Sequence, residues 1–332
     1  MTVSILQGDN RARLAEIPEC SVNTCVTSPP YFGLRAYLPD GHADKEKEIG
    51  IEQTPEQYVE SLVEVFRGVR RALRDDGTLW LNLGDSYYNY RPGGHERKQT
   101  IAKTNQDNPN APPKRNLKYE GIKEKDLIGI PWMVAFALRA DGWYLRQDII
   151  WNKKNPMPES VEDRCTKAHE YIFLLSKQKK YYFDHESIKV PVKDDWGTRD
   201  RTDGKYHNEG TGLTPHSGLE KSYEMANKRS VWNVATASYA ESHFATFPAE
   251  LIMPCILAGS PEGGMVLDPF GGAGTTGLMA HRLGRSAVLI ELNEKYVAMA
   301  QKRISGDAPL FDTAESVQTQ LHLLRDTDGN SP

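Results

Sequence analysis

The sequence predicts an α/β fold built on a mostly parallel sheet. Short apolar runs end in Gly-Asp, Ser-Pro or Asp-Pro, an amphipathic helical stretch lies between two such runs, and a glycine-rich turn joins a strand end to a helix near the C-terminus. Val3 to Leu6 reads as a strand ending at Gly8-Asp9. Val22 to Thr27 reads as a second, ending in Ser28-Pro29-Pro30-Tyr31. Thr54 can then cap a helix, with Pro55 at its first position and Gln57 completing a capping box. Val59, Leu62, Val63, Phe66, Val69 and Leu73 follow at helical spacing and bury one face. Asp76-Gly77 is expected to stop this helix, and Thr78 to Leu83 to form the next strand, ending at Gly84-Asp85. Strands alternating with helices in this way imply a parallel sheet covered on both faces.

Further along, a helix is expected from Pro131 to Ala140 and strands from Tyr144 to Trp151 and Tyr171 to Leu175. Near the C-terminus, Val266 to Phe270 is a strand end, Leu278 to Leu283 is helical and Ala287 to Ile290 is a strand ending in Glu291. Two polar segments interrupt this pattern. Residues 88–125 hold Arg91, Arg97, Lys98, Lys103, Lys114, Arg115, Lys118, Lys123 and Lys125, and read as a basic insertion. Residues 185–232 are polar and Gly-rich. The expected organisation is a catalytic domain whose first part is 1–184 and whose second is 233–306. Residues 185–232 lie between the parts, and 307–332 form a C-terminal tail.

The 332 residues are 39% hydrophobic and 26% charged, which excludes wholesale disorder and fibrous repeats. Mean hydropathy is −0.59 and no long apolar run occurs, so no membrane span is expected. The first residues show neither a basic start nor a long apolar stretch, so no secretory signal is read there. Cys20, Cys25, Cys165 and Cys255 have neither disulfide-framework nor zinc spacing, which suits a reduced, cytoplasmic protein without a metal. A net charge of −4 argues, taken over the whole chain, against a generic nucleic-acid binder. Residues 88–125 are an opposite, basic region inside it.

The chemistry is read from two short segments. In Asp268-Pro269-Phe270-Gly271-Gly272-Ala273-Gly274-Thr275-Thr276-Gly277, glycines let the backbone turn sharply and approach a ligand. Glu291, at the end of the next strand, can accept hydrogen bonds from a ribose. Gly272, Gly274 and Gly277 also spell the dinucleotide pattern of an NAD-dependent oxidoreductase. Asp268 counts against that alternative, because its charge would repel a pyrophosphate and suits a cationic ligand. S-adenosylmethionine, a sulfonium with a ribose and no phosphate, fits better.

In Ser28-Pro29-Pro30-Tyr31, two prolines fix the backbone. The Ser28 hydroxyl and the Pro29 carbonyl then become acceptors in set directions beside an aromatic ring. Such a group can hold the exocyclic amine of a base, localise its lone pair and leave it in line for methyl transfer.

With these residues in view, the chain resembles the DNA amino-methyltransferases in the circularly permuted order called the beta group. Val26-Thr27-Ser28-Pro29-Pro30-Tyr31 is similar to the catalytic block in the form typical of cytosine-N4 enzymes. Asp268 to Thr276 resembles the cofactor loop, and Glu291 the ribose-binding acid. Gly8-Asp9 resembles the acid at the cofactor adenine, and His243-Phe244-Ala245-Thr246-Phe247-Pro248 the segment around the methionine end. Asp148 to Lys153 and Asn155-Pro156-Met157-Pro158 resemble a block near the target base. The resemblance implies a Rossmann-like S-adenosylmethionine-dependent methyltransferase fold with a DNA-recognition insertion. It implies Ser28, Pro29, Pro30 and Tyr31 as catalytic residues. Asp9, Phe247, Asp268, Phe270, Gly272, Gly274, Thr275 and Glu291 would hold S-adenosyl-L-methionine. The substrate would be double-stranded DNA with the target base flipped out. Ser28 favours cytosine-N4, with adenine-N6 as the alternative. A cognate restriction endonuclease and a homodimer are left open, and a non-enzymatic DNA-binding protein remains the other class.

For DNA contact, residues 88–125 supply positive charge, Lys177, Lys179 and Lys180 with Tyr181 and Tyr182 form a second candidate patch, and 185–232 is the candidate target-recognition segment. Cys255 is expected to be a buried structural cysteine. Trp80 is expected in the core, and Trp151 either in the core or on the base.

Overall fold

A computed structural model describes residues 1–88, 119–191, 225–236 and 247–307. Its centre is an eight-stranded sheet. In chain order the strands are β1 (Val3–Gln7), β2 (Val22–Thr27), β3 (Leu73–Leu83), β4 (Tyr144–Lys153), β5 (His169–Ser176), β8 (Val231–Val234), β9 (Met265–Asp268) and β10 (Ser286–Glu291). The two-residue strands β6 (Val190–Pro191) and β7 (Met225–Ala226) pair separately. Across the sheet the order is β1-β10-β9-β2-β3-β5-β4-β8. Every neighbouring pair is parallel except those that β5 makes with β3 and β4. The expected α/β, mostly parallel, permuted fold is therefore observed: the C-terminal strands β9 and β10 are inserted between the N-terminal strands β1 and β2.

Helices α1 (Asn10–Glu16), α2 (Pro55–Ala72) and α3 (Ile130–Ala140) cover one face, where Leu14, Leu62, Phe66, Val69, Val134 and Leu138 form a core against Leu79, Leu81 and Phe173. On the other face α4 (Ala249–Gly259) and α5 (Thr275–Arg282) pack Leu251, Ile256 and Met279 against Val26, Trp80 and Leu174. Leu278 of α5 meets Ile304 of α6 (Glu294–Asp307). The capping box that starts α2 forms as expected: Gln57 N donates to Thr54 Oγ1 at 3.3 Å, and Thr54 N to Gln57 Oε1 at 3.3 Å.

Two expectations need correction. Helix α2 ends at Ala72, not at Asp76-Gly77, because Leu73 is fully buried and already pairs with Val22 of β2. The cluster Lys177, Lys179, Lys180, Tyr181 and Tyr182 lies at the edge of the sheet where the parallel strands begin. There Lys177 N donates to Gly77 O and Tyr182 N to Asp76 O. The reason is the reversed direction of β5, which puts its carboxyl end at the edge opposite the ends of β2 and β9. It is therefore not a second DNA patch beside the site.

The basic insertion leaves and returns at the opposite edge, where β2 and β3 end. Just beyond β3, Tyr87 bridges Leu127 in antiparallel fashion, Tyr88 N donates to Asp126 O, and Lys125 N to Tyr88 O. Most of that insertion, most of 185–232, His243 to Thr246 and most of the tail lie outside the described residues. Trp80 and Trp151 are both in the core, 1% and 4% exposed, and Trp151 Nε1 donates to Val234 O at 2.9 Å. Cys255 is buried in α4, and burial pushes its thiol well up. Among the described residues no helix is long and apolar enough to cross a membrane.

Candidate active site

The site follows from the strand order. From β9 the chain passes through α5 to β10 on one side; from β2 it passes through α2 to β3 on the other. Beta strands 2 and 9 are direct neighbours, with Thr24 beside Val266 and Cys25 beside Leu267. Their carboxyl ends form a topological switch point, where open α/β sheets bind ligands. Ser28-Pro29-Pro30-Tyr31 leaves one strand there and Asp268-Pro269-Phe270 the other. Some 240 residues of sequence separation thus disappear in the fold.

A buried carboxylate joins the two segments. Asp268 is 1% exposed. Its Oδ1 accepts from Thr27 Oγ1 at 2.6 Å and from Phe270 N at 3.0 Å, and its Oδ2 accepts from Thr276 Oγ1 at 2.6 Å. Burial raises the carboxyl to about 6, against the lowering effect of these three bonds. The side chain therefore ties the last residue of β2 to the turn after β9 and to the first turn of α5. Neither Thr27 nor Thr276 was singled out from the sequence. Small hydroxyls beside a buried acid are the signal that could have found them.

The glycine turn uses three of its positions in two ways. At Gly274, φ is +78°, and a Cβ would lie 2.9 Å from Ala300 Cβ. At Gly277 a Cβ would meet Leu289 Cδ1 and Val3 Cγ1, each at 2.8 Å. These two glycines serve packing. At Gly272, φ is +49° and a Cβ would meet only Phe270 O, at 3.8 Å, so this turn faces open space. Gly274→Ala should therefore lower the melting temperature, with a cost of about 1–3 kcal/mol. Gly272→Ala should cost about 1 kcal/mol of stability yet weaken cofactor binding more than Gly274→Ala does. Thermal melts and calorimetric titrations of the two variants separate these effects.

Glu291 stands beside the open turn. Its Oε2 accepts from Gly272 N and its Oε1 from Asn293 N, both at 2.8 Å. Burial raises this carboxyl to about 7. Gly8 N, at the end of β1, donates to Glu291 O at 2.9 Å, which brings Asp9 to the same edge. Asp9 caps α1, accepting from Arg11 N at 3.0 Å. Thr275 is buried and its hydroxyl accepts from Arg303 Nη1 at 2.8 Å. Phe270 and Phe247 are half-buried, packed against opposite cores. The segment after Tyr31 also reaches this corner, since Asn293 Nδ2 donates to Tyr37 O at 2.8 Å.

On the β3 side, Tyr31 lies over Gly84, where a Cβ would come within 2.5 Å of its ring. Its phenol donates to Glu170 Oε2 at 2.5 Å and faces Asn82 Oδ1 at 3.2 Å. Burial first, then the Glu170 charge, pushes the phenol well above its ordinary value. Glu170 pairs in turn with Lys153. Glu170 and Asn82 were not read from the sequence, whereas Lys153 belongs to the block Asp148 to Lys153 that resembles one near the target base. Only the antiparallel direction of β5 brings its first residues to this edge.

Residues 22–302 match a family described as DNA methylase. Among curated proteins, the type II methyltransferase M.SmaI of Serratia marcescens is 47% identical over 300 residues, covering 90% of both chains. The type II methyltransferase M.Cfr9I of Citrobacter freundii is 44% identical, covering 92% of this chain and 88% of its own. Among solved structures, the PvuII DNA methyltransferase (cytosine-N4-specific) superposes with a TM-score of 0.60 at 18% identity, covering 100% of this chain and 94% of its own. That likeness concerns the fold. Two motifs meeting at a switch point, and a family match spanning most of the sequence, give one conclusion: this chain belongs to the amine-specific N6/N4 DNA methylase family.

Proposed function

We propose that the protein is a type II DNA methyltransferase that moves a methyl group from S-adenosyl-L-methionine to the N4 amino group of a cytosine flipped out of duplex DNA. One observation carries this reading: Ser28-Pro29-Pro30-Tyr31 leaves β2 beside the loop that Asp268 anchors. The amine holder and the methyl-donor site are thereby neighbours.

The residues present fit the cofactor. Gly272 leaves room for close approach, and Glu291 keeps lone pairs for a ribose beyond its two backbone bonds. Asp268 contributes negative charge from beneath the loop, which favours a sulfonium over a pyrophosphate. When bound, the cofactor supplies a methyl group on a positively charged sulfur. Ser28 and the Pro29 carbonyl hold the amino group, and the Tyr31 ring supports the base. Serine at position 28 supports cytosine as the target. The basic insertion, anchored at the same edge by Tyr87 and Tyr88, supports backbone contact with DNA.

The direct test is transfer of a labelled methyl group to duplex DNA, followed by digestion and mass spectrometry of the nucleosides. N4-methylcytosine is expected. N6-methyladenine would overturn the choice of base, and no transfer would overturn the reading.

Glu291 gives this reading a pH dependence with two opposite signs. In the free protein, burial raises its carboxyl to about 7 from an ordinary value of 4.5. The folded state thus binds the proton more tightly than the unfolded state. This contribution to stability is full below pH 4.5 and is lost as pH rises through about 7. Cofactor binding needs the carboxylate, so affinity should instead fall below pH 7, by up to about tenfold per unit. Calorimetric titrations between about pH 6 and pH 8 should show the fall in wild type, and a flat, weaker profile in Glu291→Gln.

A further inference from the structure

In Ser28-Pro29-Pro30-Tyr31 the prolines set most of the backbone themselves. Each ring holds its own φ, and a residue that precedes proline is kept extended, which restricts Ser28 and Pro29. One soft torsion is left within the proline pair: ψ of Pro30, which turns the Pro30 carbonyl and the chain beyond it. That carbonyl is held. Tyr58, in the first turn of α2, is fully buried, and its Oη donates to Pro30 O at 2.8 Å. Burial first, then the Glu52 charge, pushes this phenol well above its ordinary value, so it keeps its proton. A carbonyl oxygen can only accept, so the direction of the bond is fixed. The Tyr58 ring also lies 5.6 Å from that of Phe32, itself 4% exposed. Gly50 backs the same peptide. Its φ is +99°, and a Cβ there would lie 3.1 Å from Pro30 Cβ and 3.3 Å from Tyr31 O. Gly33 N donates to Gly50 O at 2.9 Å. Among the described residues, no hydrogen bond reaches the Pro29 carbonyl. Of two successive proline carbonyls, the protein takes up one and leaves the other to a ligand.

We infer that Tyr58 is a positioning residue for methyl transfer: by holding the Pro30 carbonyl it fixes ψ of Pro30, and with it the placement of the Tyr31 ring relative to the Pro29 carbonyl. This rests on the proposed roles of Pro29 and Tyr31. Glu170 fixes the far end of the Tyr31 side chain; Tyr58 works from the other end, through the backbone. Its mount is rigid, because it belongs to the same core as Leu62, Phe66 and Leu81. An entering base therefore meets an acceptor and a ring already set, and alignment for transfer needs no search through ψ. Without the hydroxyl the Pro30 carbonyl loses its donor and the peptide can rotate. The loss falls on alignment rather than on binding, because the surfaces that hold cofactor and base remain.

Tyr58→Phe tests this, since it removes one oxygen and keeps the ring against Phe32. The first readout needs neither cofactor nor DNA. Pro30-Tyr31 is the one Pro-Tyr pair in the sequence, so carbonyl-13C proline combined with amide-15N tyrosine gives a single correlated NMR signal. The Pro30 carbonyl resonance should move upfield in Tyr58→Phe, as it does when a carbonyl loses a donor. The second readout is single-turnover methylation, expected to fall about tenfold, with cofactor and DNA affinities within about threefold and the melting temperature within about 4 °C of wild type. Three results would overturn the inference: an unmoved Pro30 signal, a wild-type transfer rate in Tyr58→Phe, or a joint fall of rate, both affinities and melting temperature. If wild type methylates no DNA, the functional reading fails and takes the catalytic meaning of Tyr58 with it, while the Pro30 signal still decides whether Tyr58 holds the peptide.

Discussion

Ser28→Ala together with Tyr31→Ala should lower methyl transfer to DNA by at least about 1,000-fold and leave affinity for S-adenosyl-L-methionine within about threefold. The split follows from the geometry. Both residues belong to the segment after β2, whereas the open glycine turn and Glu291 belong to β9, α5 and β10. A base amine is a poor nucleophile because its lone pair is delocalised into the ring, so loss of the acceptor at Ser28 acts on the rate. Removal of the Tyr31 ring takes away a surface on which the base can stack, worth about 1–3 kcal/mol. The two single losses multiplied together should exceed the loss of the pair, since both residues act on the same base. Transfer at full rate in the double variant would remove both residues from the chemistry. Equal losses of rate and cofactor affinity would mean that the β2 end and the glycine turn are one structural unit.

The parts legible in the sequence were those that local chemistry dictates. The capping box at Thr54 and Gln57 and the buried runs of β2, β3 and β10 need no tertiary information. Helix α1 was missed because it has seven residues with only Asn10 and Leu14 buried. Helix α6 was missed because its buried side is Tyr296, Val297, Ala300 and Ile304, a stripe too weakly apolar to announce itself. Strand β5 was recognised but its direction was not, since a continuous apolar run reads the same either way. That one ambiguity hid half of the site: it places Glu170 under Tyr31 and moves Lys177 to Lys180 to the far edge. Residues at the ends of parallel strands, by contrast, are legible as site residues because the architecture brings every such end to one edge. Asp268, Glu291 and Ser28 were found that way. What stayed hidden was the support around them, in Thr27, Thr276, Asn82 and Glu170, ordinary polar residues whose meaning depends on who faces them.

Asp268→Ala should be the most damaging single change to the fold of the site. It leaves the Thr27 hydroxyl, the Thr276 hydroxyl and the Phe270 amide without the carboxylate they share. Thr276 retains an alternative in Val26 O, 3.3 Å away, but Thr27 and Phe270 N have no second acceptor in the hydrogen bonds seen here. Leaving buried donors unpaired costs about 1–3 kcal/mol each, so a loss of about 3–5 kcal/mol is expected, together with loss of cofactor binding as the turn at Gly271 to Gly274 drifts from Glu291. Asp268→Asn separates charge from shape. It keeps an acceptor for Thr27 and Phe270 N and presents an amide to Thr276, whose hydroxyl can turn to Val26 O, so its stability should lie within about 1.5 kcal/mol of wild type. If the negative charge beneath the loop also favours a sulfonium, Asp268→Asn should still bind S-adenosyl-L-methionine more weakly, and should lose more affinity for it than for the uncharged thioether S-adenosyl-L-homocysteine. Equal losses for both ligands would reduce Asp268 to a post that holds two strand ends together.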